Sequence, residues 1–374
     1  MIVITTQCFA PKIGGIESLM TGMAEAMAGE GEDLLVLADG LEERRDKQYK
    51  FKIKRFNSWK PIRRIQKASY LKKISKKFKV EAIYADSWKS VEYLGGIGTK
   101  VVVLAHGTEI PKQYWSKIFN LVRFKKKRII SAYKNSNEII ANSSYTKDLM
   151  QVSLDIKREK IKIIHPGIDI YKDFISLSDE AKIKKIVNGK FPVITTLARI
   201  EKRKGHKFVL NALSEIKKDF PDIMYLIAGQ GPYLKEIIAH SKKLNLQENI
   251  QFLGWITEPE KSLILKNSNL FVMTPNLVGE SVEGFGMSFI DAAFHELASI
   301  GTDSGGISDA IIDNETGLLC IAEDQKDITN KMKLLLSDNS KRKKMGIAGK
   351  KRAEKFFTWK NKIKEYLNII RENS

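Results

Sequence analysis

The sequence predicts an α/β protein built from two doubly wound parallel sheets. Three observations predict it. Short apolar runs alternate with helical stretches almost from end to end. The alternation pauses once, over residues 171–190, and then restarts. The chain has 374 residues, 43% apolar and 29% charged, which suits two globular domains of roughly 150 residues each and excludes a disordered chain.

Taken in order, residues 2–5 read as a buried strand, 17–27 as a helix and 34–37 as the next strand. Further strands are expected at 82–85, 101–105, 138–141 and 161–164. Uniformly apolar runs of this length, separated by helices, are parallel strands covered on both faces. Right-handed crossovers then wind the sheet. Residues 171–190 are polar and charged and read as a linker. The second sheet restarts with strands at 193–197, 224–228, 250–253 and 270–274. The domains are accordingly 1–172 and 185–355. A last helix at 358–371, with apolar positions Trp359, Ile363, Tyr366, Leu367 and Ile370 on one face, can pack back on the first domain or on the second.

Composition removes several classes. Cys8 and Cys320 lie too far apart for a disulfide framework or a clustered zinc site, and each reads as a small buried hydrophobe. No histidine pair has metal-ligand spacing. No apolar run approaches the roughly 18 residues of a membrane helix. The N-terminus is apolar at once and lacks the basic region of a signal peptide. A soluble, cytoplasmic protein is expected.

Four segments sit where chemistry is expected, at the carboxyl ends of strands. Arg199-Ile200-Glu201-Lys202-Arg203-Lys204-Gly205 follows the first strand of the second domain and opens a helix. Its cations suit a diphosphate at a helix N-terminus; a solvated basic loop is the equal alternative. Glu280-Ser281-Val282-Glu283-Gly284-Phe285-Gly286-Met287 also runs into a helix. Its glycines admit a ligand close to the backbone, and Glu283 offers a carboxylate to hydroxyls. By itself it equally describes a glycine-rich cap. Gly14 and Gly15 follow the first strand of the first domain, as a plain strand-to-helix turn would. His106-Gly107-Thr108-Glu109 ends the strand at 101–105. Neither Gly229-Gln230-Gly231 nor Gly284-Phe285-Gly286 has the third glycine of a dinucleotide fingerprint, and Gly95–Lys100 lacks the ending of a P-loop.

These segments, in this order, resemble the retaining GT-B glycosyltransferases of family 4 over nearly the whole chain. His165-Pro166-Gly167-Ile168-Asp169, Ala228-Gly229-Gln230-Gly231-Pro232, Phe252-Leu253-Gly254-Trp255 and Ser304-Gly305-Gly306 complete the ordered set. The resemblance implies two Rossmann-like domains facing across a cleft, the first for the acceptor and the second for a nucleotide diphosphate sugar. It implies that Arg199 and Lys204 neutralise the departing diphosphate and that Gly14 and Gly15 line the donor phosphates. His106 would lie near the transferred sugar. Glu283 would touch its hydroxyls, with Gly284, Phe285 and Gly286 beside it and Gly231 in the donor site. The family's second acid holds the nucleotide ribose; here it is Asp291, one methylene shorter than Glu. The usual Gly-x-Pro after that helix is replaced by His295-Glu296-Leu297-Ala298-Ser299, a differently built turn. Such an enzyme retains anomeric configuration and needs no cofactor and no metal. The base, UDP or GDP, stays open.

Charge bears on the acceptor. The net charge is +20. Residues 1–170 carry 32 basic and 18 acidic side chains, a net of +14. Within 44–79 there are 16 Lys or Arg against one acid, Asp46, interleaved with Phe51, Phe56, Trp59, Tyr70 and Phe78. A second run, 123–128, follows Trp115, Ile118, Phe119 and Leu121. Basic helices flanked by aromatics suit an anionic membrane surface. The expectation is a peripheral enzyme at the inner face of the plasma membrane, acting on a glycan or lipid-linked acceptor in glycolipid or surface polysaccharide synthesis. Nucleic-acid binding is the competing class for such charge, but it does not account for the sugar-donor loops. A GT-B sugar phosphorylase would use the same Arg199 and Lys204.

Overall fold

The computed structural model describes residues 1–110, 120–169, 176–279 and 281–371. It separates into two compact units, Met1–Asp169 with Phe357–Ser374 and Ile170–Phe356.

The first unit is a parallel sheet of β1 (Ile2–Thr5), β2 (Leu34–Asp39), β3 (Lys52–Phe56), β4 (Ala82–Ala85), β5 (Lys100–Ala105), β6 (Glu138–Ala141) and β7 (Ile161–Ile163), in the order β3-β2-β1-β4-β5-β6-β7. The helices are α1 (Gly15–Gly29), α2 (Lys60–Lys77), α3 (Trp88–Val91), α4 (Asn120–Lys134) and α5 (Ser144–Leu154). The second unit opens with α6 (Leu177–Val187) and holds β8 (Val193–Leu197), β9 (Met224–Ala228), β10 (Ile250–Gly254), β11 (Leu270–Val272), β12 (Ser299–Thr302) and β13 (Gly317–Cys320). Their order is β10-β9-β8-β11-β12-β13, again all parallel. Its remaining helices are α7 (His206–Ile216), α8 (Leu234–Lys243), α9 (Glu258–Lys266), α10 (Met287–Phe294), α11 (Ile307–Ala310), α12 (Gln325–Ser337) and α13 (Asn339–Phe356). Each sheet reverses its winding once, between β1 and β4 and between β8 and β11. Open α/β sheets bind ligands outside the carboxyl ends of the strands at that reversal.

The last helix, α14 (Trp359–Arg371), belongs to the first unit. Trp359, Ile363, Tyr366, Leu367 and Ile370 join the core of Ile2, Ile4, Met20, Met23 and Tyr84. The Trp359 indole fills the space that a Cβ on Gly22 or Gly167 would take.

The structure corrects the sequence reading at several points. The supposed linker contains α6, because Ser176 caps it (Oγ accepts from Asp179 N at 3.1 Å) and Ile183 buries against Met224, Leu226, Leu263 and Ile264. Tyr171 lies outside the described residues. β3, inside the basic stretch, is an edge strand with Lys52 and Lys54 exposed. The last strand of the reading ends at Val272, since Thr274 leaves the sheet to donate to the Gly205 carbonyl at 3.0 Å. The altered turn after α10 is a Schellman close: Leu297 N donates to Ala292 O (3.1 Å) and Glu296 N to Ala293 O (3.0 Å), with Glu296 at φ 60°.

The basic stretch is also less solvated than its composition implies. Arg55 is bidentate on Asp46, Lys67 and Arg63 reach Asp39, and Arg64 reaches Glu92, which also takes Arg128. What remains outside is apolar as well as basic. Trp59 is 74% exposed, and Ile62, Ile65 and Phe124 are exposed with it, among Lys60, Lys72, Lys73 and Lys125. Trp115, Ile118 and Phe119 lie outside the described residues, as do the side chains of Leu121 and Arg123. No helix among the described residues is long and apolar enough to cross a membrane.

Candidate functional site

The reversal point of the second sheet is built by backbone packed on backbone. Beyond β8, Ile200 N donates to Gln230 O (2.9 Å) and Tyr233 N to Ile200 O (3.0 Å). Gly231 permits this: a Cβ there would lie 2.3 Å from the Ile200 carbonyl. Residues Lys202–Lys204 make one 3-10 turn. Gly205 ends it at φ 75° and opens α7, where a Cβ would lie 1.9 Å from the Thr274 carbonyl. Asn276 N donates to Arg203 O at 2.8 Å, tying this turn to the loop after β11.

The charges sit on that frame. Lys204 Nζ donates to Glu283 Oε2 at 2.5 Å and Arg203 Nη1 to the same oxygen at 2.8 Å. Arg203 Nε also donates to Glu201 Oε2 at 2.9 Å. Arg199 is 65% exposed and pairs with Glu201 Oε1 at 3.2 Å. Burial would raise the Glu283 carboxyl, but the charges of Lys204 and then Arg203 overcome it and hold the group below its ordinary value. His206, the first residue of α7, is pushed down to about 4, by burial first and then by Lys204. It is therefore neutral beside the cations near pH 7, and neither ring nitrogen has a hydrogen-bond partner among the described residues.

Glu283 is fixed by its main chain. Its carbonyl accepts from Gly306 N at 2.9 Å, and Gly305, at φ 65°, leaves the 2.2 Å approach that a Cβ would block. Gly284 and Phe285 are buried behind it, and Gly286 opens α10 in the left-handed region at φ 94°. Asp291, one turn further, accepts from Lys261 Nζ of α9 at 3.1 Å, and the same lysine pairs with Glu258 at 2.5 Å. Burial works against the Lys261 charge, but Asp291 and Glu258 raise its pKa above the ordinary value. Glu280 lies outside the described residues.

The first unit has its own cluster. His106 is buried at the end of β5, and its Nε2–H donates to the Asp86 carbonyl at 2.8 Å. The Asp86 carboxylate accepts from Thr6 Oγ1 (3.0 Å), Gln7 N (2.7 Å) and Ser90 Oγ (2.6 Å), fixing the loop that leads to Gly14 and Gly15. Gly15 is the first residue of α1. Burial, with Asp86 and Glu17 next, pushes the Cys8 thiol up to about 12, which keeps it protonated.

The structure thus brings Lys204 directly onto Glu283, with Gly284, Phe285 and Gly286 in sequence behind it. Arg199 joins only through Glu201, and Gly231 supports Ile200. Sequence reasoning missed Lys261 and Asp86 and gave Glu201 and Arg203 no separate part. Asp86, directly after an apolar strand, carried a usable signal; nothing in the sequence ties Lys261 to Asp291. Among the described residues no group of three or more His, Cys, Asp or Glu could hold a metal ion. Cations beside helix N-termini, such as Arg199 and Lys204, can hold a diphosphate, and an ionised carboxylate next to them can accept from hydroxyls.

Two family models match this chain. Residues 13–172 match the Glycosyltransferase Family 4 model, and residues 178–352 match Glycosyl transferases group 1. The chain belongs to the GT-B glycosyltransferases of family 4. This glycosyltransferase is 24% identical, over 96% of both chains, to a GDP-mannose-dependent alpha-(1-6)-phosphatidylinositol monomannoside mannosyltransferase of Mycolicibacterium smegmatis. A GDP-mannose-dependent monoacylated alpha-(1-6)-phosphatidylinositol monomannoside mannosyltransferase of Corynebacterium glutamicum is 22% identical, covering 98% of this chain and 97% of its own. Among solved structures, Anabaena HepE in complex with UDP and glucose superposes with a TM-score of 0.81 at 17% identity over all of both chains. A glycosyltransferase of Rickettsia africae gives 0.79 at 19%, over 99% of this chain and 98% of its own.

Proposed function

We propose that this glycosyltransferase is a retaining, metal-independent mannosyltransferase that moves mannose from GDP-mannose to a glycolipid acceptor. The observation that carries the reading is the convergence of Lys204 and Arg203 on Glu283 at the reversal point of the second sheet. Leaving of a nucleoside diphosphate develops negative charge, and preorganised cations lower that barrier. Arg199 and Lys204 take the diphosphate. Glu283 takes the sugar hydroxyls, with the backbone of Gly284, Phe285 and Gly286 beside it and Gly231 on the donor side. Asp291, paired with Lys261, takes the ribose. Gly14, Gly15 and His106 serve from the first unit. The choice of GDP-mannose and of a phosphatidylinositol-type acceptor rests on the activities for which the mannosyltransferase relatives are named.

The first unit docks, in this reading, on anionic lipid at the cytoplasmic face of the membrane. The exposed Trp59, Ile62, Ile65 and Phe124 among lysines support that part.

The test is a thermal-shift panel of GDP, UDP, ADP and their mannose and glucose conjugates, with Arg199→Ala as control. A ligand at about 100 times its Kd adds roughly 2.7 kcal/mol. Stabilisation by GDP and GDP-mannose that is lost in Arg199→Ala supports the reading, and transfer to a phosphatidylinositol mannoside with an α-linked product completes it. A shift with uridine nucleotides alone rejects the donor. Release of a sugar 1-phosphate that depends on inorganic phosphate marks a phosphorylase instead.

A further inference from the structure

The reaction as described gives Arg203 no ligand of its own, yet among the cations around Glu283 Arg203 is the one that bridges two carboxylates. Its fork spans two carboxylates, Glu201 through Nε and Glu283 through Nη1. Its main-chain carbonyl is held by Asn276 N, and its turn is closed by Gly205. Arg203 is 16% exposed and Glu283 14%, whereas Arg199 is 65% exposed with one ion pair, to Glu201. Arg199 can therefore swing to a phosphate without opening the cluster, and Arg203 cannot. Both Arg203 and Lys204 bind Oε2 of Glu283, and no donor among the described residues reaches Oε1.

We infer that Arg203 is the positioning residue of Glu283: anchored by Glu201, it clamps Oε2 so that the ionised Oε1 is presented to a hydroxyl of the donor sugar. The inference rests on the reading above that Glu283 faces that sugar. It gives Arg203 a part distinct from that of the phosphate cations, even though it lies in the same run of basic residues. When a diphosphate draws Lys204 away, Arg203 is the cation that stays with the carboxylate. Glu201 and Arg199 on the same loop, and the main-chain N–H of Gly306 on the Glu283 carbonyl, are the other polar groups gathered there.

The role separates sugar from nucleotide, so the experiment compares two ligands. Kd for GDP and for GDP-mannose is measured by calorimetry on the full chain, with UDP and UDP-glucose in parallel. The variants are Arg203→Gln, Arg203→Lys, Glu201→Gln, Glu283→Gln and the double Arg203→Gln/Glu283→Gln. In Arg203→Gln the ratio Kd(GDP)/Kd(GDP-mannose) falls about tenfold, the scale of one charge-assisted hydrogen bond, while Kd for GDP holds. Glu283→Gln produces the same loss, and the double variant adds nothing to it. Arg203→Lys recovers part of the ratio, and Glu201→Gln loses part of it without touching Glu283, which keeps the test open if Arg203→Gln folds poorly. Equal weakening of GDP and GDP-mannose would place Arg203 on the phosphates and overturn the inference, as would an unchanged ratio. Wild-type protein that binds GDP but gains nothing from mannose overturns the assignment of Glu283. Wild-type protein that binds none of these nucleotides overturns the donor reading, and the positioning role falls with it.

Discussion

The two sheets reverse their winding in the same way but carry opposite chemistry at the reversal. In the first unit the acid there, Asp86, is held by the hydroxyls of Thr6, Ser87 and Ser90 and the main-chain amide of Gln7. In the second, Glu283 is held by an arginine and a lysine. The first unit owns most of the surplus charge of the chain, yet among the described residues no lysine or arginine pairs with the Asp86 carboxylate. The second brings Lys204 and Arg203 within hydrogen-bond distance of Glu283. Topology therefore supplies the location of a site, and side chains decide what it binds.

The largest expected effect breaks the symmetry between these two acids. Lys204→Ala lowers kcat for glycosyl transfer by about 10²–10³-fold, the scale for losing one preorganised electrostatic group. Ser90→Ala, the matching deletion at Asp86, costs about 1 kcal/mol of stability and leaves kcat near wild type. Initial-rate kinetics and denaturant melts decide it; equal losses of kcat would erase the distinction.

The glycines give the next contrast. Gly231→Ala forces a Cβ against the Ile200 carbonyl and costs about 1–3 kcal/mol. Gly14→Ala meets only the flexible end of Glu17 and costs less. Chemical denaturation of the two variants reads this directly.

A third comparison uses pH. The Glu283 carboxyl, ordinarily near 4.5, is held lower in the folded chain despite its burial. A depressed carboxyl stabilises the fold above its unfolded value and loses that contribution as pH falls through the folded one. The stability difference between wild type and Glu283→Gln is thus full at neutral pH and shrinks below about pH 4.5. Melts across that range measure it, and a pH-independent difference would contradict the ion pairs.

The smallest effect tests the first unit's surface. Each lysine facing an anionic bilayer is worth about 1 kcal/mol at low salt. Trp59→Ser with Ile62→Ser should weaken co-sedimentation with phosphatidylserine-containing vesicles while leaving nucleotide binding intact. Unchanged sedimentation would leave the surface without a lipid role.

The fold was legible where strands are buried on both faces. β4 and β9 read as unbroken apolar runs because no residue in them meets water. β3 did not, since an edge strand needs only one covered face and spends its exposed positions on Lys52 and Lys54. β12 was hidden by Gly301, which sits in a strand where Ile307 and Ile311 come too close for a side chain. The Arg199–Lys204 loop and the Glu283 loop were visible as local motifs. Their meeting was not, because Arg203 and Glu283 are 80 residues apart and only the winding of β8 and β11 joins them. The inward turn of Arg63, Arg64 and Lys67 was likewise hidden, for their acids, Asp39 and Glu92, lie outside the basic stretch.

The terminal helix has a consequence for how the protein is made. The first unit closes its core with Trp359, Tyr366 and their neighbours, and Tyr84 Oη donates to the Tyr366 carbonyl at 2.5 Å. A ribosome adding about 5–20 residues per second needs roughly 10–40 s to travel from the end of that unit's first segment to these side chains. The part synthesised first is therefore the last to be finished. Through that interval an apolar face of the nascent chain stays open beside the exit tunnel, a natural station for a holding chaperone.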